Sequence, residues 1–473
     1  MDTVFDQVVD HPLARRQIDG QILLELSGRR RINALPSRCH DSLVYWNFKY
    51  IVYYSALASV ICGRMQRALL LGGGVVGLSI ATTLQRASVA VTVIDTAPAL
   101  GAASWGNAGH IAIEQVEPLA SWSTIRSAPR RLFSRGGALG LPPSQIKRWL
   151  PFALRMAGAA NRVEHGRTAL RSLLTNALPA WKSLTEQLGM PGLVRETGHF
   201  VVWESPASAA AGLAAWRSTD IGSARFHECD SDEMRQLAGL MKQAPAGAIR
   251  FENTAQIADL PKLGDALRAA ITERGGRMLN AKARAIAHRG KSVSVTLDDG
   301  SSEEADFAVV AAGVRSRELM EPYCKSVPII AERGYHLQMT EHRWPDLPPV
   351  VFEDRSMIVT RFESGLRAAS FVEFGSLEAP PDERKWQRLR SHVTALGLPC
   401  DAPARQWMGA RPTLPDYLPA IGRLPHAPNI LYAFGHQHLG LTLAAITGDL
   451  IAQLATHSPT AVSLTPFDLQ RFS

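Results

Sequence analysis

Residues 67–80 read Arg67-Ala68-Leu69-Leu70-Leu71-Gly72-Gly73-Gly74-Val75-Val76-Gly77-Leu78-Ser79-Ile80, and Asp95 follows Gly77 by eighteen residues. The apolar run before the glycines predicts a buried parallel strand. The glycines predict a turn tight enough for main chain to pass against a pyrophosphate. Val75 to Arg86 then supplies a helix whose N-terminus, with its unpaired N–H groups, faces the phosphates. A second apolar run, Val89-Ala90-Val91-Thr92-Val93-Ile94, predicts the neighbouring strand, and Asp95 at its end is placed to accept from a ribose hydroxyl. A glycine-rich turn alone is a weak signal. Here strand, turn, helix, strand and acid stand in the order a dinucleotide fold requires, so the fold class is α/β with a Rossmann-like nucleotide domain. Gly72, Gly74, Val75, Val76, Gly77 and Asp95 are its cofactor-binding candidates.

The segment Ala102-Ala103-Ser104-Trp105-Gly106-Asn107-Ala108-Gly109-His110-Ile111 points to FAD rather than NAD. Small residues, a hydroxyl and an amide let main chain approach a flat polar ring and offer it hydrogen bonds. The plain alternative is an ordinary Gly/Ala/Ser loop. Ser104, Asn107, Ala108, Gly109 and His110 join the candidates, as do Ala312 and Gly313 at the end of the strand-like run Asp306-Phe307-Ala308-Val309-Val310-Ala311. Near the C-terminus stand Trp407-Met408-Gly409-Ala410-Arg411-Pro412, Pro415-Asp416, Ile421-Gly422 and Tyr432-Ala433-Phe434-Gly435-His436-Gln437-His438-Leu439-Gly440-Leu441-Thr442. Gly435, His436, Gly440, Leu441 and Thr442 complete the cofactor set that the family resemblance of these motifs implies, with the helix start at Gly440 then expected to aim N–H groups and positive dipole at the flavin N1 and C2 oxygen.

With these motifs, residues 65 to 455 resemble the D-amino-acid oxidase superfamily of FAD-dependent oxidoreductases, most of all bacterial D-amino-acid dehydrogenases and D-hydroxyproline dehydrogenases. The resemblance implies a Rossmann-like FAD-binding domain (65–112, 245–326 and 405–455) with an inserted α+β substrate-binding domain of antiparallel sheet plus helices (113–244 and 327–404). A tail, 456–473, follows. It implies non-covalent FAD and hydride transfer from the carbon bearing the amine of a D-amino or cyclic imino acid. Asn107 to Ile111 followed by Glu114-Gln115 tilts the substrate towards cis-4-hydroxy-D-proline or D-proline. A sarcosine- or glycine-type oxidase and a non-catalytic flavin-holding subunit are the alternatives. Electrons go to a quinone, another acceptor or O2.

Such a reaction needs a cation for the substrate carboxylate and no dedicated base if the amine arrives deprotonated. Arg411 is the candidate anchor, because a guanidinium fork binds a carboxylate bidentately and the arginine of this motif has that role in relatives. Tyr335, after Arg333-Gly334, either donates to the same carboxylate, lines the ring pocket or is a core tyrosine. His438 is the third catalytic candidate, one histidine of His436-Gln437-His438 being expected to face flavin or substrate, and His110 is expected to act likewise, the plain alternative being a histidine packed in a glycine loop. Gln437 stands where many relatives carry glycine. Two histidines at i and i+2 raise the question of a metal, but no third ligand stands nearby and none is expected.

The remaining pattern is that of a globular chain. A helix is expected at Thr168–Leu188, with Leu170, Leu173, Leu174, Leu178 and Trp181 at helical spacing, and another from Pro261 to Ile271. Strands are expected at Met278–Ile286 and Ser292–Leu297, with a hairpin turn at Asp299-Gly300, and at 334–339, 357–360 and 366–370. Charged residues make up 20% and hydrophobic ones 46%, which excludes wholesale disorder. The formal charge of +8 suits a pyrophosphate cofactor and a carboxylate substrate, and equally an anionic membrane surface. No aromatic-interleaved basic stripe calls for nucleic acid. Five dispersed cysteines, Cys39, Cys62, Cys229, Cys324 and Cys400, indicate a reducing compartment. The protein is therefore read as cytoplasmic, with peripheral contact at the inner face of the cytoplasmic membrane as the second reading. The thirteen-residue apolar run Tyr50–Cys62 is too short to span a bilayer. Residues 1–64 are read as a disordered or gene-model extension before a start at Met65, or as a membrane-touching segment.

Overall fold

The computed structural model describes residues 65–96, 101–400 and 404–473. The expectations for residues 1–64, Cys39 and Cys62 included, lie outside the described residues.

The strand Arg67–Leu71 runs parallel between Ala90–Asp95 and Phe307–Val310, with Leu70 level with both Val93 and Val309. Six strands form this sheet, ordered Arg277–Asn280, Ala90–Asp95, Arg67–Leu71, Phe307–Val310, Ala427–Phe434 and Ala420–Leu424. Only the last pairs antiparallel. Burial on both faces is why Leu69 to Leu71 and Phe307 to Val310 read as unbroken apolar runs. The helix is Val75–Arg86 as expected, and the glycines before it are there for space. Gly72 has φ +122°, and a Cβ on it would lie 2.3 Å from the Ala311 carbonyl oxygen. A Cβ on Gly77 would lie 2.0 Å from the Gly72 oxygen, so the helix can touch the end of the strand only because Gly77 has no side chain.

The second large sheet has nine strands, nearly all antiparallel, and includes Arg405–Thr413, Ile330–Met339, Gly365–Gly375, Met357–Phe362, Val350–Phe352, His199–Trp203 and Gly247–Phe251. The expected domain limits need correction here. Gly247–Phe251 and Arg405–Thr413 were assigned to the nucleotide part, but both hydrogen-bond into this second sheet. The helix expected at 168–188 runs Val163–Gln187. Its apolar face, Leu170, Leu173, Leu174 and Trp181, joins the core of the nucleotide domain rather than a separate cap. Trp181 Nε1 donates to the Leu441 carbonyl at 2.9 Å, tying it to the helix Gly440–Ala455. With the turn before it, the stretch Gln437–Ala455 is long and apolar enough to cross a membrane, but it is largely buried in the core.

The helix expected at 261–271 is Leu260–Glu273, capped by Asp259. The run 278–286 splits in two. Arg277–Asn280 extends the parallel sheet, while Ala283–Arg289 pairs with Ser292–Leu297 in a three-stranded sheet that turns through Asp299-Gly300. Residues 456–473 are no loose tail. Phe467 and Leu469 are fully buried, Asp468 accepts from the Tyr432 hydroxyl, and Arg471 pairs with Asp416 at 2.7 Å.

Gly77→Ala should push the helix off the strand. We expect a loss of about 1–3 kcal/mol in a denaturant melt, as overpacking of a closed interior costs, and a protein purified without yellow colour. A variant as stable and as yellow as the parent would show that the contact yields freely.

Candidate active site

One continuous cavity of about 490 Å³ runs from the glycine turn to the strand Arg405–Thr413. Among the residues expected to hold the cofactor, Gly72, Gly74, Val76, Asp95, Ser104, Asn107, Ala312, Gly313, His436, Gly440 and Leu441 line it. At one end lies the N-terminus of the helix Val75–Arg86, whose Val75 N–H donates to Ser104 Oγ at 3.1 Å and whose N-cap, Gly74, offers no side-chain cap. Asp95 accepts from the Gly73 N–H at 2.6 Å. At the other end begins the helix Gly440–Ala455, again without a side-chain cap. Two helix N-termini and a bare glycine turn around one cleft fit a group bearing a pyrophosphate and an electron-accepting ring. Where the sequence implies FAD, the walls are shaped for it.

Other candidates serve the walls from behind. Gly77 and Gly435 provide close approach, a Cβ at Gly435 falling 2.4 Å from Leu414. Gly109, at φ +78°, lets its loop pack against the Phe362 ring, and Asn107 Oδ1 accepts from its N–H. Ala108 does not reach the cavity. Thr442 is fully buried and accepts from the Ala112 N–H, joining the helix start to the 102–111 loop.

Three expectations are corrected. His110 does not face the cavity: its Nε2 meets Glu114 Oε1 at 3.1 Å and its ring packs edge-on against His199. Burial alone would raise the Glu114 carboxyl, but the charge and hydrogen bond of His110, with His199 beyond, leave it below the usual range. His436 lines the cavity, yet its ring turns into the core and meets Thr447 Oγ1. Tyr335 is a core tyrosine, because strand alternation puts it on the face opposite Gly334 and His336. Its hydroxyl accepts from Arg333 Nη2 at 2.8 Å and donates to Glu373, within a buried cluster in which Lys385 also pairs with Glu373 at 2.7 Å.

His438 lies beside the site rather than in its wall, its Nε2 2.6 Å from Gln115 Oε1. Different partners hold His436 and His438, so their nitrogens do not converge as the spacing i, i+2 might suggest. Gln437 between them has φ +45°, the left-handed backbone that glycine adopts freely. Its amide bridges the bend, donating to the Tyr417 carbonyl and accepting from the His438 N–H.

Arg411 lines the cavity. In the pairing of Ile330–Met339 with Arg405–Thr413 it stands opposite Glu332, and its Nη1 meets Glu332 Oε1 at 2.9 Å. The guanidinium lies over Gly334, where a Cβ would fall 2.4 Å from Nη2. Glu332, fully buried, also accepts from Thr413 and Tyr417 hydroxyls. Burial, then the Glu332 charge, pushes the Tyr417 phenol well above its usual value, so it remains a donor. Arg411 Nε and Nη2 are left for an incoming carboxylate.

Sequence reading missed Glu332, Tyr417, His336 and Arg367. His336 donates Nδ1–H to the Gly106 carbonyl at 3.0 Å and stacks on Trp407 at 4.7 Å. Arg367, buried and lowered by burial to about 10 but still cationic, donates to the carbonyls of Trp105 and Asn107. Charged residues inside apolar strands were the available signal for Glu332 and Arg367. The three described cysteines, Cys229, Cys324 and Cys400, do not line the cavity.

A family model described as FAD dependent oxidoreductase, DAO, matches residues 67–454. The D-amino-acid oxidase of Bradyrhizobium diazoefficiens is 32% identical over 413 residues, covering 85% of this chain and 98% of that protein. D-amino acid dehydrogenase 2 of Pseudomonas aeruginosa is 30% identical over 421 residues, covering 85% and 97%. Among solved structures, glycine oxidase from Geobacillus kaustophilus superposes with a TM-score of 0.64 at 19% identity, covering 86% of this chain and 99% of that one. L-proline dehydrogenase from P. horikoshii gives 0.60 at 16%, covering 86% and 98%. At these identities the two structures speak for the fold.

Burial holds His436 down to about 3 from an ordinary 6.5. Between those values the unfolded chain carries a proton that the folded chain refuses, so stability falls as pH falls, by about 1.4 kcal/mol per unit for such a group. His436→Gln, which keeps a partner for Thr447, should therefore lose stability less steeply than the parent in guanidinium melts taken from pH 6.5 to 4. Equal slopes would assign the acid sensitivity elsewhere.

Proposed function

Since the chain belongs to the DAO family of FAD-dependent oxidoreductases, with FAD as its cofactor, we propose that it oxidises a D-amino or cyclic imino acid to the imine, with cis-4-hydroxy-D-proline or D-proline as the preferred substrate. The observation that carries this reading is Arg411, a cation at the cavity wall with two donor positions unclaimed by the protein. The D-amino-acid names of the relatives at 32% and 30% identity support the handedness. A small ring is favoured by a rigid wall. The Trp407 indole is held between Gly106 and Gly409, where a Cβ would fall 2.2 and 2.0 Å from it, and is backed by His336.

When bound, FAD supplies a ring that accepts the hydride from the substrate Cα. Arg411 Nε and Nη2 bind the carboxylate and fix where Cα sits. The amine must arrive unprotonated, because its lone pair becomes the C=N bond. Glu332 is poorly suited to deprotonate it, since Arg411, Thr413 and Tyr417 already occupy its oxygens. His438, lowered to about 4 chiefly by burial, stays neutral and adds no positive charge against the oxidised product. FAD is held without a covalent bond, and a quinone or another acceptor takes the electrons.

Anaerobic mixing of the yellow protein with D-proline, cis-4-hydroxy-D-proline, D-alanine, sarcosine and glycine should bleach the band at about 450 nm fastest with the first two. Faster bleaching by sarcosine or glycine would replace the substrate class. Arg411→Lys keeps a charge beside Glu332 but loses the fork. It should raise KM about a hundred- to a thousandfold, or roughly 3–4 kcal/mol, with the flavin spectrum unchanged. Arg411→Ala should raise KM at least as much, but it also strands a buried carboxylate and should melt earlier. Loss of flavin in the lysine variant would make Arg411 structural.

A further inference from the structure

Residues 118–163 contain eight Lys and Arg and not one Asp or Glu, so this stretch alone carries as much charge as the whole chain's formal net of +8. The remainder of the chain is balanced. All eight, Arg126, Arg130, Arg131, Arg135, Lys147, Arg148, Arg155 and Arg162, are exposed, and among the described residues none forms an ion pair within 4 Å. Such segregation is not what a solvated surface needs, since mixed signs serve solubility as well.

Among the described residues, the same stretch holds four of the five most exposed large hydrophobic side chains: Trp122 at 43%, Ile146 at 44%, Leu150 at 42% and Leu154 at 67%. They follow from how two helices sit. Ile146–Ala159 buries Phe152 and Met156, with Trp149 and Ala159 packed alongside, against Phe374 and Tyr417. Ile146, Leu150 and Leu154, spaced by four, form a second apolar stripe facing solvent beside Lys147. Trp122–Arg131 packs Ile125 into the same cluster and turns Trp122, Arg126 and Arg130 outward on one stripe. Trp122 Nε1 donates to Asn161 Oδ1 just beyond the other helix, fixing the two faces side by side.

We propose that the outer face of these two helices docks the protein on an anionic membrane surface, with Trp122, Ile146, Leu150 and Leu154 entering the interface and Arg126, Arg130 and Lys147 beside them meeting lipid phosphates. Exposed aliphatics at helical spacing, an interfacial tryptophan and an acid-free cationic rim are what such a surface binds. A protein partner with an acidic groove, or a second copy of the chain, is less well matched: a second copy would bring eight like charges onto eight.

The test uses the full-length, FAD-loaded protein and co-sedimentation with vesicles of phosphatidylcholine alone or mixed with phosphatidylglycerol. The parent should bind the mixed vesicles, weakly bind the neutral ones, and be released by salt. Arg126→Glu with Arg130→Glu should weaken binding about twentyfold or more, at roughly fivefold per basic residue even before the added repulsion. Leu150→Glu with Leu154→Glu should weaken it comparably. Both pairs should leave the flavin spectrum, the melting temperature and amino-acid oxidation with a soluble dye unchanged. Binding that ignores lipid charge, or that survives both pairs of substitutions, would overturn the proposal. So would concentration-dependent self-association that the substitutions abolish, which would make a second copy the occupant.

Discussion

Arg411 has to be partnered before any substrate arrives, and the structure around it is arranged to do so without occupying it. A guanidinium so close to the core is costly unless opposite charge lies within reach. Glu332 supplies that charge from the neighbouring strand, on the same face and directly opposite in register. Glu332 is itself buried and needs further donors, which Thr413 and Tyr417 provide. Each requirement fixes the next residue: glycine at 334 so that the guanidinium can lie flat, and a left-handed Tyr417 so that its hydroxyl can turn back. The pair neutralises Arg411 in part, so its pull on a carboxylate comes from geometry and desolvation more than from raw charge.

The other end of the cavity works by a different physics. There the polar groups are main-chain N–H groups at two helix starts and in a turn whose glycines admit close approach, with few formal charges. Oriented backbone dipoles cost no side-chain entropy and do not titrate, unlike the buried histidines behind them. Arg367 extends this arrangement by gripping the carbonyls of the loop from Trp105 to Asn107, so a loop of small residues keeps one conformation.

What the sequence made legible was whatever depended on neighbours in the chain. The strand, glycine turn, helix and acid from Arg67 to Asp95 are contiguous, and their spacing admits one arrangement. The direction of Tyr335 and of His110 was not legible, because it depends on strand parity and on partners far away, Glu373 and His199, which no local pattern encodes. The limits at 245 and 405 failed for the same reason, since strand partners choose the sheet and composition does not. Residues 456–473 looked like a tail because they lack periodicity, yet Phe467 and Leu469 close the core and Arg471 reaches Asp416. Glu332 was overlooked although a carboxylate within Ile330–Met339 demands a partner. The demand was visible, the partner was not.

The basic helices and the substrate pocket are parts of one packed unit. Phe152 and Met156, on the inner side of the helix that carries Leu150 and Leu154, share a core cluster with Tyr417, whose hydroxyl holds Glu332, which in turn holds Arg411. Close-packed interiors transmit displacement rather than absorb it. A load on the outer face of Ile146–Ala159 therefore meets, one layer down, the residue that sets the angle of the carboxylate anchor. On the docking proposed above, the pocket geometry would be tied to the surface beneath that helix. The first layer of that connection is aromatic and aliphatic packing, which, unlike the charged rim, salt does not screen.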